Sequence, residues 1–313
     1  MSSSLLTADL ERFGPRVDEG AAPPTLDEAK AYCRRLAQTH YENFTVASWL
    51  LPRKLRQHFY HVYAYCRWAD DLADEAPDAA TSLQLLDWWE GELRACYEGR
   101  SRHPVYLALG ETIREFEIPI EPLADLLTAF RQDQHVTRYE SCLDLDGYCR
   151  NSANPVGRLV LYLGRAHDEQ NGRLSDAVCT GLQLANFCQD VAGDWDRGRV
   201  YLPQDVCRRF GYAESDFAQR RYNERFRQVM RHETDRAEHY LLSGRPLVGR
   251  VPRDLAVDLA LFIEGGLAIL RAIRRIDYDV WKRRPRVGKL TQARLLAQCW
   301  WSTRGGRGPK GTA

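Results

Sequence analysis

The sequence predicts an all-α protein, and two observations support this prediction. Apolar residues recur at helical spacing along long segments, which are interrupted by prolines such as Pro104 and Pro203. No segment alternates between polar and apolar residues as a half-buried strand does. The first helix of the main helical region is expected to begin near Thr25, because Glu28 three residues later completes a capping-box pattern.

The predicted domain organisation follows from length and composition. The chain has 313 residues, of which 44% are hydrophobic, and its middle contains no linker rich in Gly, Ser or Pro. We predict a flexible N-terminal segment over residues 1–25, one large helical domain over 26–301 and a flexible basic tail over 302–313. The first segment mixes Gly and Pro without helical periodicity, and the tail is rich in Gly.

The charge balance and the cysteines exclude several classes of protein. The net charge is +1, from 44 basic and 43 acidic residues, so we expect no nucleic-acid partner. The basic run from Lys282 to Arg286 fits a solvated surface better than a contact with phosphate or anionic lipid. Nine cysteines without zinc-site spacing suggest unpaired thiols in a reducing compartment. With no secretory signal or membrane-spanning stretch evident, we expect a cytoplasmic protein.

Two acidic motifs of similar design lie far apart in the chain. Asp70 and Asp74 are four residues apart, as are successive members of the set Asn186, Asp190 and Asp194. On helices, each set would project oxygen ligands from one face, where like charges repel by a few tenths of a kcal/mol per pair. Oxygen ligands favour magnesium over zinc, and magnesium commonly completes its shell with phosphate oxygens. The two motifs therefore predict one magnesium site and a diphosphate substrate.

A solvated acidic helix face is the alternative for either motif taken alone. The flanking residues favour function instead. The first motif follows the apolar and aromatic stretch His61–Ala69, and the second follows Gly181–Ala185. Carboxylates at the ends of buried helices usually have a function, because burying an unpaired charge is costly.

These motifs also carry a resemblance to a known family. Three segments, Tyr63–Glu75, Asn186–Asp194 and Gly198–Pro203, together resemble the squalene and phytoene synthase family of isoprenoid enzymes. The similarity extends roughly from Ala31 to Leu290. It implies the all-helical isoprenoid synthase fold, in which two aspartate-rich helices face each other across a central cavity. It further implies that two or three Mg²⁺ ions bind there with the diphosphate.

Two further segments, His40–Pro52 and Tyr148–Leu159, resemble the hydroxysqualene synthases of bacterial hopanoid and squalene biosynthesis. Relatives that make squalene or phytoene usually carry Tyr-Val-Ala-Gly at Asn151–Asn154 and Arg at Gln189. The resemblance thus implies a carbon–oxygen lyase that converts presqualene diphosphate to hydroxysqualene, with Mg²⁺ and without NADPH. The alternatives are presqualene diphosphate, squalene or phytoene synthesis from prenyl diphosphates such as farnesyl diphosphate, and a non-catalytic scaffold.

The candidate metal ligands and diphosphate-binding residues come from the two motifs and their flanks. The oxygen donors expected to hold magnesium are Asp70, Asp74, Asn186, Asp190 and Asp194. Arg67 and Arg199 match family positions that bind diphosphate, and Tyr201 is expected to donate a further hydrogen bond. Asp71 and Glu75 either orient water, pair with arginine or touch metal. Gln189 is placed among the substrate-binding residues.

Other candidates concern the hydrocarbon and the attacking water. The aromatic residues expected to line a prenyl cavity are Phe44, Trp49, Tyr63 and Phe187, with plain core packing as the alternative for each. Asn151 and Asn154 are expected to hold the water beside the cation, because Pro155 leaves a nearby carbonyl free. The alternative is that both amides only satisfy the irregular backbone. Peripheral contact with the inner membrane and association with a presqualene diphosphate synthase stay open.

Overall fold

The structure, a computed structural model, describes residues 3–16, 22–39, 53–288 and 299. The chain separates into two compact units, Met1–Val136 and Thr137–Ala313. Within the described ranges all regular structure is helical, apart from an isolated bridge between Arg138 and Val200. The predicted all-α class is confirmed. The predicted boundaries of a single domain over 26–301 stay a prediction. No described helix is both long and apolar enough to cross a membrane.

Six helices form the described part of the first unit. They are α1 Ser3–Phe13, α2 Leu26–Thr39, α3 Arg53–Asp74, α4 Ala79–Tyr97, α5 Pro104–Phe116 and α6 Glu121–Gln132. The capping box before α2 is confirmed, since the Thr25 amide donates to Glu28 Oε2 at 2.8 Å and the Glu28 amide donates back to Thr25 Oγ1 at 3.3 Å. Pro104 stands at the start of α5, as its fixed φ favours.

Helix α1 lies within residues 1–25, the segment that we predicted to be flexible, and its flexibility stays a prediction. The sequence there shows no helical periodicity, and contacts with residues distant in sequence hold the helix. The Tyr32 hydroxyl donates to Asp9 Oδ2 at 2.8 Å, and the rings of Phe13 and Tyr32 meet edge to face at 5.4 Å. Gly14 and Pro15, which suggested a loop, follow the helix and end it.

A buried aromatic cluster anchors α3 against α4 and α5. The rings of Trp68 and Trp89 stack at 5.2 Å, and the His103 ring stands edge-on to them at 4.7 and 4.8 Å. The Tyr65 hydroxyl donates to the backbone carbonyl of Leu123 at 2.7 Å. This packing fixes the helix that carries the first acidic motif.

A directional chain of hydrogen bonds fixes the earlier part of α3. Arg34 donates to Gln57 Oε1 at 2.7 Å, so the Gln57 amide nitrogen, 3.0 Å from His61 Nε2, must donate there. His61 therefore carries its proton on Nδ1, which lies 2.7 Å from Thr112 Oγ1. The Thr112 hydroxyl is then left to donate to His58 Nδ1 at 3.0 Å. Every step of this chain requires neutral imidazoles.

Seven α-helices and one 3₁₀ helix form the described part of the second unit. They are α7 Cys142–Ser152, α8 Asn154–Leu163, α9 Glu169–Asp196, α10 Gln204–Phe210, α11 Glu214–Ala218, α12 Glu224–Gly244, the 3₁₀ helix Arg245–Gly249 and α13 Arg253–Arg275. Helix α9 carries the second acidic motif and packs against α7, α8, α12 and α13.

Two glycines allow this close packing around α9. A Cβ atom on Gly181 would lie 2.8 Å from the Leu241 backbone nitrogen and 3.0 Å from the Ala237 carbonyl oxygen of α12. A Cβ atom on Gly266 of α13 would lie 2.9 Å from Leu182. Gly181 therefore lets α9 lie close to the backbone of α12, and Gly266 lets α13 lie close to the Leu182 side chain of α9.

The nine cysteines are all free thiols, as predicted. Six are buried and three are half-buried. Burial raises the pKa of the Cys142 thiol to about 11 and the pKa of Cys66 and Cys179 to about 12. They pack as small apolar side chains.

Candidate functional site

The first acidic motif occupies the C-terminal end of α3, in the first unit. Arg67 lies among its carboxylates: Nη2 forms an ion pair with Asp71, and Nη1 lies 3.5 Å from Asp70 Oδ2. Glu75 Oε1 lies 3.9 Å from Nη2. Of the alternatives for Asp71, the structure shows the pairing with arginine.

Exposure distinguishes the carboxylates of this motif. The Asp71 side chain is 14% exposed, and burial raises its pKa to about 6 although Arg67 acts in the opposite direction. The Asp70 side chain is 47% exposed, and Asp74 is exposed. The two predicted metal ligands thus lie on the more accessible side of the helix.

The predicted aromatic lining of this region is only partly described. Tyr63 lies one turn before Arg67 on α3 and is half-buried, and burial raises the pKa of its hydroxyl. Phe44 and Trp49 lie outside the described residues, as does the whole segment His40–Pro52. The lining role of these residues stays a prediction.

The second acidic motif lies on the C-terminal half of α9, in the second unit. Asn186 is exposed, whereas the side chains of Asp190 and Asp194 are 15% and 13% exposed. Arg284 binds Asp190 through both carboxylate oxygens, with Nη2 at 2.8 Å from Oδ2 and Nε against Oδ1. The Gln189 amide donates to the Pro285 carbonyl at 2.6 Å. The segment after α13 therefore lies across the acidic motif.

Asp194 is a poorly solvated carboxylate at the end of α9. Burial raises its pKa to about 6, with Arg197, whose Nη2 lies 3.7 Å away, acting in the opposite direction. The charge of Asp190 raises the pKa further. Gly198, at φ 75°, turns the chain so that the Arg199 amide donates to the Asp194 carbonyl at 2.8 Å.

The chemistry of the α9 donors fits a hard divalent cation. Carboxylate and amide oxygens on one helix face are the ligands that magnesium takes, and added positive charge would stabilise the desolvated Asp194 carboxylate. Within the described residues, no three His, Cys, Asp or Glu side chains form a group that could hold a metal ion. That Asp70 and Asp74 complete one magnesium site with the α9 residues stays a prediction.

A mostly apolar pocket of about 230 Å³ lies between α9 and α13 beside this motif. Asn186 and Gln189 line it together with Leu182, Phe262 and Gly265. A Cβ atom on Gly265 would meet no atom within 4 Å, so the glycine leaves open space there. The apolar walls of this pocket suit a hydrocarbon, and they lie next to residues that we predicted to bind metal and substrate.

Phe187 and Tyr201 belong to a buried aromatic stack. Their ring centroids are 3.9 Å apart with an interplanar angle of 7°, and Tyr139 and Tyr148 pack at 5.8 and 5.9 Å from Tyr201. Phe187 is 5% exposed and Tyr201 is 9% exposed. This environment favours the core-packing alternative for Phe187. The hydrogen bond from Tyr201 to diphosphate stays a prediction.

Asn151 and Asn154 flank a break between two helices. Helix α7 ends at Ser152 and α8 begins at Asn154, with Pro155 in its first turn. Asn154 is 6% exposed, and its Oδ1 accepts a hydrogen bond from the Thr180 hydroxyl of α9 at 3.0 Å. Asn151 is half-buried in the last turn of α7. The Thr180 contact supports a packing role for Asn154, and the water-holding role stays a prediction.

Sequence reasoning missed two features of the second unit. The basic run from Lys282 to Arg286 was predicted to form a solvated surface, and its basic residues are exposed, but the sequence did not reveal that Arg284 binds Asp190. No local pattern could reveal a contact across 94 residues.

The other missed feature is a buried ionic network that joins α7 to α12. Arg236 donates to Glu233 at 2.8 Å and to Asp146 at 2.6 Å, and Tyr240 also donates to Asp146. Glu233 is 2% exposed. Burial alone would raise the pKa of the Glu233 carboxyl. Hydrogen bonds from His232 and Arg236 lower it by more, so the pKa lies below its ordinary value.

A large cavity in the first unit does not contain the predicted site. It measures about 1070 Å³ and is lined by Arg12, Arg35, Arg100 and Arg102 beside the Trp88 ring. None of the candidate residues lines it. The candidate site is therefore identified by its chemistry and not by cavity size.

Comparison with known proteins places this geometry in a family. The chain is 30% identical to the 15-cis-phytoene synthase of Synechocystis over 302 residues, which cover 91% of this chain and 89% of the relative. It is 36% identical to the hydroxysqualene synthase of Rhodopseudomonas palustris over 220 residues, which cover 69% of this chain and 74% of the relative.

Two solved structures share the fold. Squalene synthase HpnC from Alicyclobacillus acidocaldarius aligns with a TM-score of 0.78 and 45% identity, covering 81% of this chain and 95% of that one. A dehydrosqualene synthase in complex with ligand aligns with a TM-score of 0.80 and 25% identity, covering 90% and 98%. The family model described as squalene/phytoene synthase matches residues 37–291, and the chain therefore belongs to the squalene/phytoene synthase family.

Proposed function

We propose that the chain is a hydroxysqualene synthase acting on presqualene diphosphate. The carbon–oxygen bond to the diphosphate breaks, and the diphosphate leaves with the bonding electron pair. The resulting cyclopropylcarbinyl cation rearranges, water adds to it, and a proton is released to give hydroxysqualene. No hydride donor enters this reaction.

The observation that carries the proposal is the departure at Asn151–Asn154 from the Tyr-Val-Ala-Gly run of relatives that make squalene or phytoene. Identity supports the same choice. The hydroxysqualene synthase of Rhodopseudomonas palustris is 36% identical over its aligned part, whereas the phytoene synthase of Synechocystis is 30% identical. The alignment with the hydroxysqualene synthase covers 69% of this chain, whereas the alignment with the phytoene synthase covers 91%.

The acidic residues of both motifs are proposed to hold magnesium, with Asp190, Asp194 and Asn186 on α9 and Asp70 and Asp74 on α3. Bound magnesium would neutralise the diphosphate and so favour its departure. The protein contributes by holding these oxygens on two rigid helices. The low exposure of Asp190 and Asp194 weakens competition from bulk water.

Arginines and apolar walls are proposed to bind the two ends of the substrate. Arg67 and Arg199 would donate to the diphosphate as its charge grows, because a guanidinium presents paired donors to phosphate oxygens. The pocket between α9 and α13, lined by Leu182 and Phe262, would receive part of the hydrocarbon beside Asn186. Substrate bound in this way presents its reactive carbon close to the metal ligands.

The second candidate function is condensation of two prenyl diphosphates to presqualene diphosphate, squalene or phytoene. The phytoene synthase relatives and the dehydrosqualene synthase structure favour it. The same acidic residues and arginines would then ionise an allylic diphosphate. A non-catalytic scaffold is the weaker alternative, because crowding half-buried carboxylates on α9 gives a scaffold no benefit.

Product analysis distinguishes these functions. The purified chain is incubated with Mg²⁺ and either presqualene diphosphate or farnesyl diphosphate, without NADPH, and lipids are identified by gas chromatography with mass detection. Hydroxysqualene from presqualene diphosphate supports the proposal. Presqualene diphosphate formed from farnesyl diphosphate, detected as its alcohol after dephosphorylation, supports the second candidate. If neither substrate is consumed under conditions where a known relative is active, the scaffold is favoured.

A further inference from the structure

We propose that the cavity of about 1070 Å³ in the first unit binds a nucleotide, with its phosphates on arginine side chains and its base against the Trp88 ring. The cavity lies between the end of α1, helices α2 and α4, and the segment that joins α4 to α5. None of the residues assigned above to metal or diphosphate binding lines it. The proposal therefore does not depend on the proposed function.

Positive charge exceeds negative charge among the side chains of this cavity. Two glutamates line it, and both already have partners: Glu28 belongs to the capping box of α2, and Glu92 accepts a hydrogen bond from the Ser101 hydroxyl at 3.0 Å. Three separate segments contribute the cavity's four arginines, which are Arg12, Arg35, Arg100 and Arg102. Guanidinium groups that converge on one space favour a ligand with several phosphate oxygens.

Aromatic rings support the arginines of α1 and α2. The Arg12 guanidinium lies 4.8 Å from the centroid of the Phe13 ring, and the Arg35 guanidinium lies 6.0 Å from that of Tyr32. Among the described residues, no carboxylate forms an ion pair with either guanidinium. Stacking on a ring leaves the N–H groups of a guanidinium available to an anion.

The Trp88 ring gives the cavity an aromatic wall. It packs against the rings of Trp89 and His103, with centroids 5.5 and 5.9 Å away, and this packing fixes its position. Trp88 is only half-buried, and it lines the cavity. A fixed indole that a ligand can reach is suited to stack a planar ring, as aromatic side chains do with nucleobases.

His103, in the same wall, carries a donor without a partner. It is 5% exposed, and its Nδ1 accepts a hydrogen bond from the Val105 amide at 3.2 Å. Burial lowers the pKa of the imidazole to about 3, so the neutral ring carries its proton on Nε2. In the part of the chain that the structure describes, Nε2 has no hydrogen-bond partner. Nucleobases have acceptor nitrogens, so a base beside Trp88 would bring acceptors to the wall that contains this donor.

The size of the cavity favours a nucleotide over a simple anion or a nucleic acid. Pockets for small organic ligands commonly measure about 300–1,000 Å³, so a single phosphate would leave most of this cavity empty. A nucleic acid would need a basic face that extends over the surface, whereas the net charge of the chain is only +1. A nucleoside di- or triphosphate matches both the charge and the volume.

The first test compares ATP with inorganic triphosphate by isothermal titration calorimetry on the full chain. Both titrations contain EDTA, so that no metal ion recruits either ligand to the acidic motifs. ATP should bind at one site per chain and at least about tenfold more tightly than triphosphate, because the base adds a stacking contact. Equal affinity for the two ligands, or no saturable ATP binding up to about 5 mM, would overturn the proposal.

Charge variants locate the phosphates. The double variant Arg12→Gln with Arg35→Gln should bind both ligands at least about tenfold more weakly, because charge-assisted hydrogen bonds are lost. The matched control is Arg94→Gln with Arg173→Gln, which removes two charges from exposed positions outside the cavity. The control should bind ATP as the parent does. Equal ATP affinity in the two double variants would place the phosphates elsewhere and overturn the proposal.

Trp88→Leu locates the base. It should bind ATP about tenfold more weakly and inorganic triphosphate as the parent does, because only the stacking contact is lost. Unchanged triphosphate binding also shows that the variant keeps its fold. If Trp88→Leu binds ATP as tightly as the parent, or loses affinity for both ligands equally, the assigned base position is wrong. None of these substitutions lies in the candidate site, so failure here leaves the proposed reaction untouched.

Discussion

Arg284 and Asp190 form a two-pronged ion pair although 94 residues separate them in the chain. The pair joins the segment after α13 to the helix that carries the second acidic motif. It also neutralises, within the protein, a carboxylate that we assign to metal binding.

Loss of a proposed metal ligand should abolish most activity without unfolding the protein. Asp70→Ala and Asp190→Ala should each lower turnover by at least about a hundredfold, as removal of a key charge-stabilising group typically does. The control is Asp196→Ala on α9, whose partner is the surface residue Arg220. Turnover is followed by product formation at saturating Mg²⁺, and folding by circular dichroism. Near-normal turnover in both motif variants would remove the metal site from the proposal.

Arg199→Lys should impair substrate ionisation even at saturating Mg²⁺, because lysine keeps the charge but loses the paired donors. We expect a slower single-turnover rate and weaker binding of inorganic diphosphate. The matched control is Arg197→Lys, since the Arg197 side chain is 66% exposed and lies two residues away. If Arg199→Lys equals the parent in both measurements, Arg199 has a structural role.

Acid should destabilise the first unit through His61. Burial lowers its pKa from 6.5 to about 3 in the folded protein, so between these values only the unfolded chain binds the proton. The stability contributed by neutral His61 is complete above about pH 6.5 and declines as pH falls, at up to about 1.4 kcal/mol per pH unit. His61→Gln, which carries no titrating group, should show a weaker decline in unfolding free energy between pH 7 and 5. Parallel curves for the two proteins would contradict this account.

Two adjacent glycines of α13 should respond differently to substitution. Gly265→Val adds atoms to open space in the pocket beside Asn186, so it should leave the melting temperature near that of the parent while lowering kcat/KM about tenfold or changing the product. Gly266→Val places its Cβ 2.9 Å from Leu182 and should lower the melting temperature by several degrees. Unchanged kinetics in Gly265→Val would mean that substrate does not enter this pocket.

Substitutions can separate the two possible roles of Asn154, which are positioning water and packing against Thr180. If it positions water, Asn154→Ala or Asn151→Ala should divert product from the alcohol toward eliminated hydrocarbons or rearranged alcohols, with substrate consumption less affected. Thr180→Val removes the 3.0 Å contact to Asn154 but leaves the amide in place, and so reports the packing role alone. The same product distribution in all three variants and the parent would place the water elsewhere.

Local features of the fold were predictable, and contacts between distant segments were not. The capping box at Thr25 and the interruption of the helical pattern at Pro104 follow from interactions within one turn, and the sequence shows them directly. Helix α1 depends on Tyr32 and on the ring of His103, which no local rule can include. The separation of α7 from α8 follows from Pro155, which removes a backbone donor at the start of α8.

The candidate site likewise combines features that local spacing predicts with contacts that it does not predict. Spacing alone places Asn186, Asp190 and Asp194 on one face of α9, and the structure agrees. Spacing could not tell that Asp190 is paired with Arg284, or that Asp71 is the motif carboxylate most closely bound by Arg67. These pairings depend on how side chains share a poorly solvated space.

The nine free cysteines have a practical consequence for spectroscopy. Because burial raises the pKa of each thiol, the reactive thiolate is scarce at neutral pH, and maleimide or methanethiosulfonate reagents should modify the native cysteines slowly. A single cysteine placed on the exposed position of Arg283 can then carry a spin label or fluorophore without removal of the other nine. Such a probe sits beside Arg284 and reports on the surroundings of the segment that lies across α9.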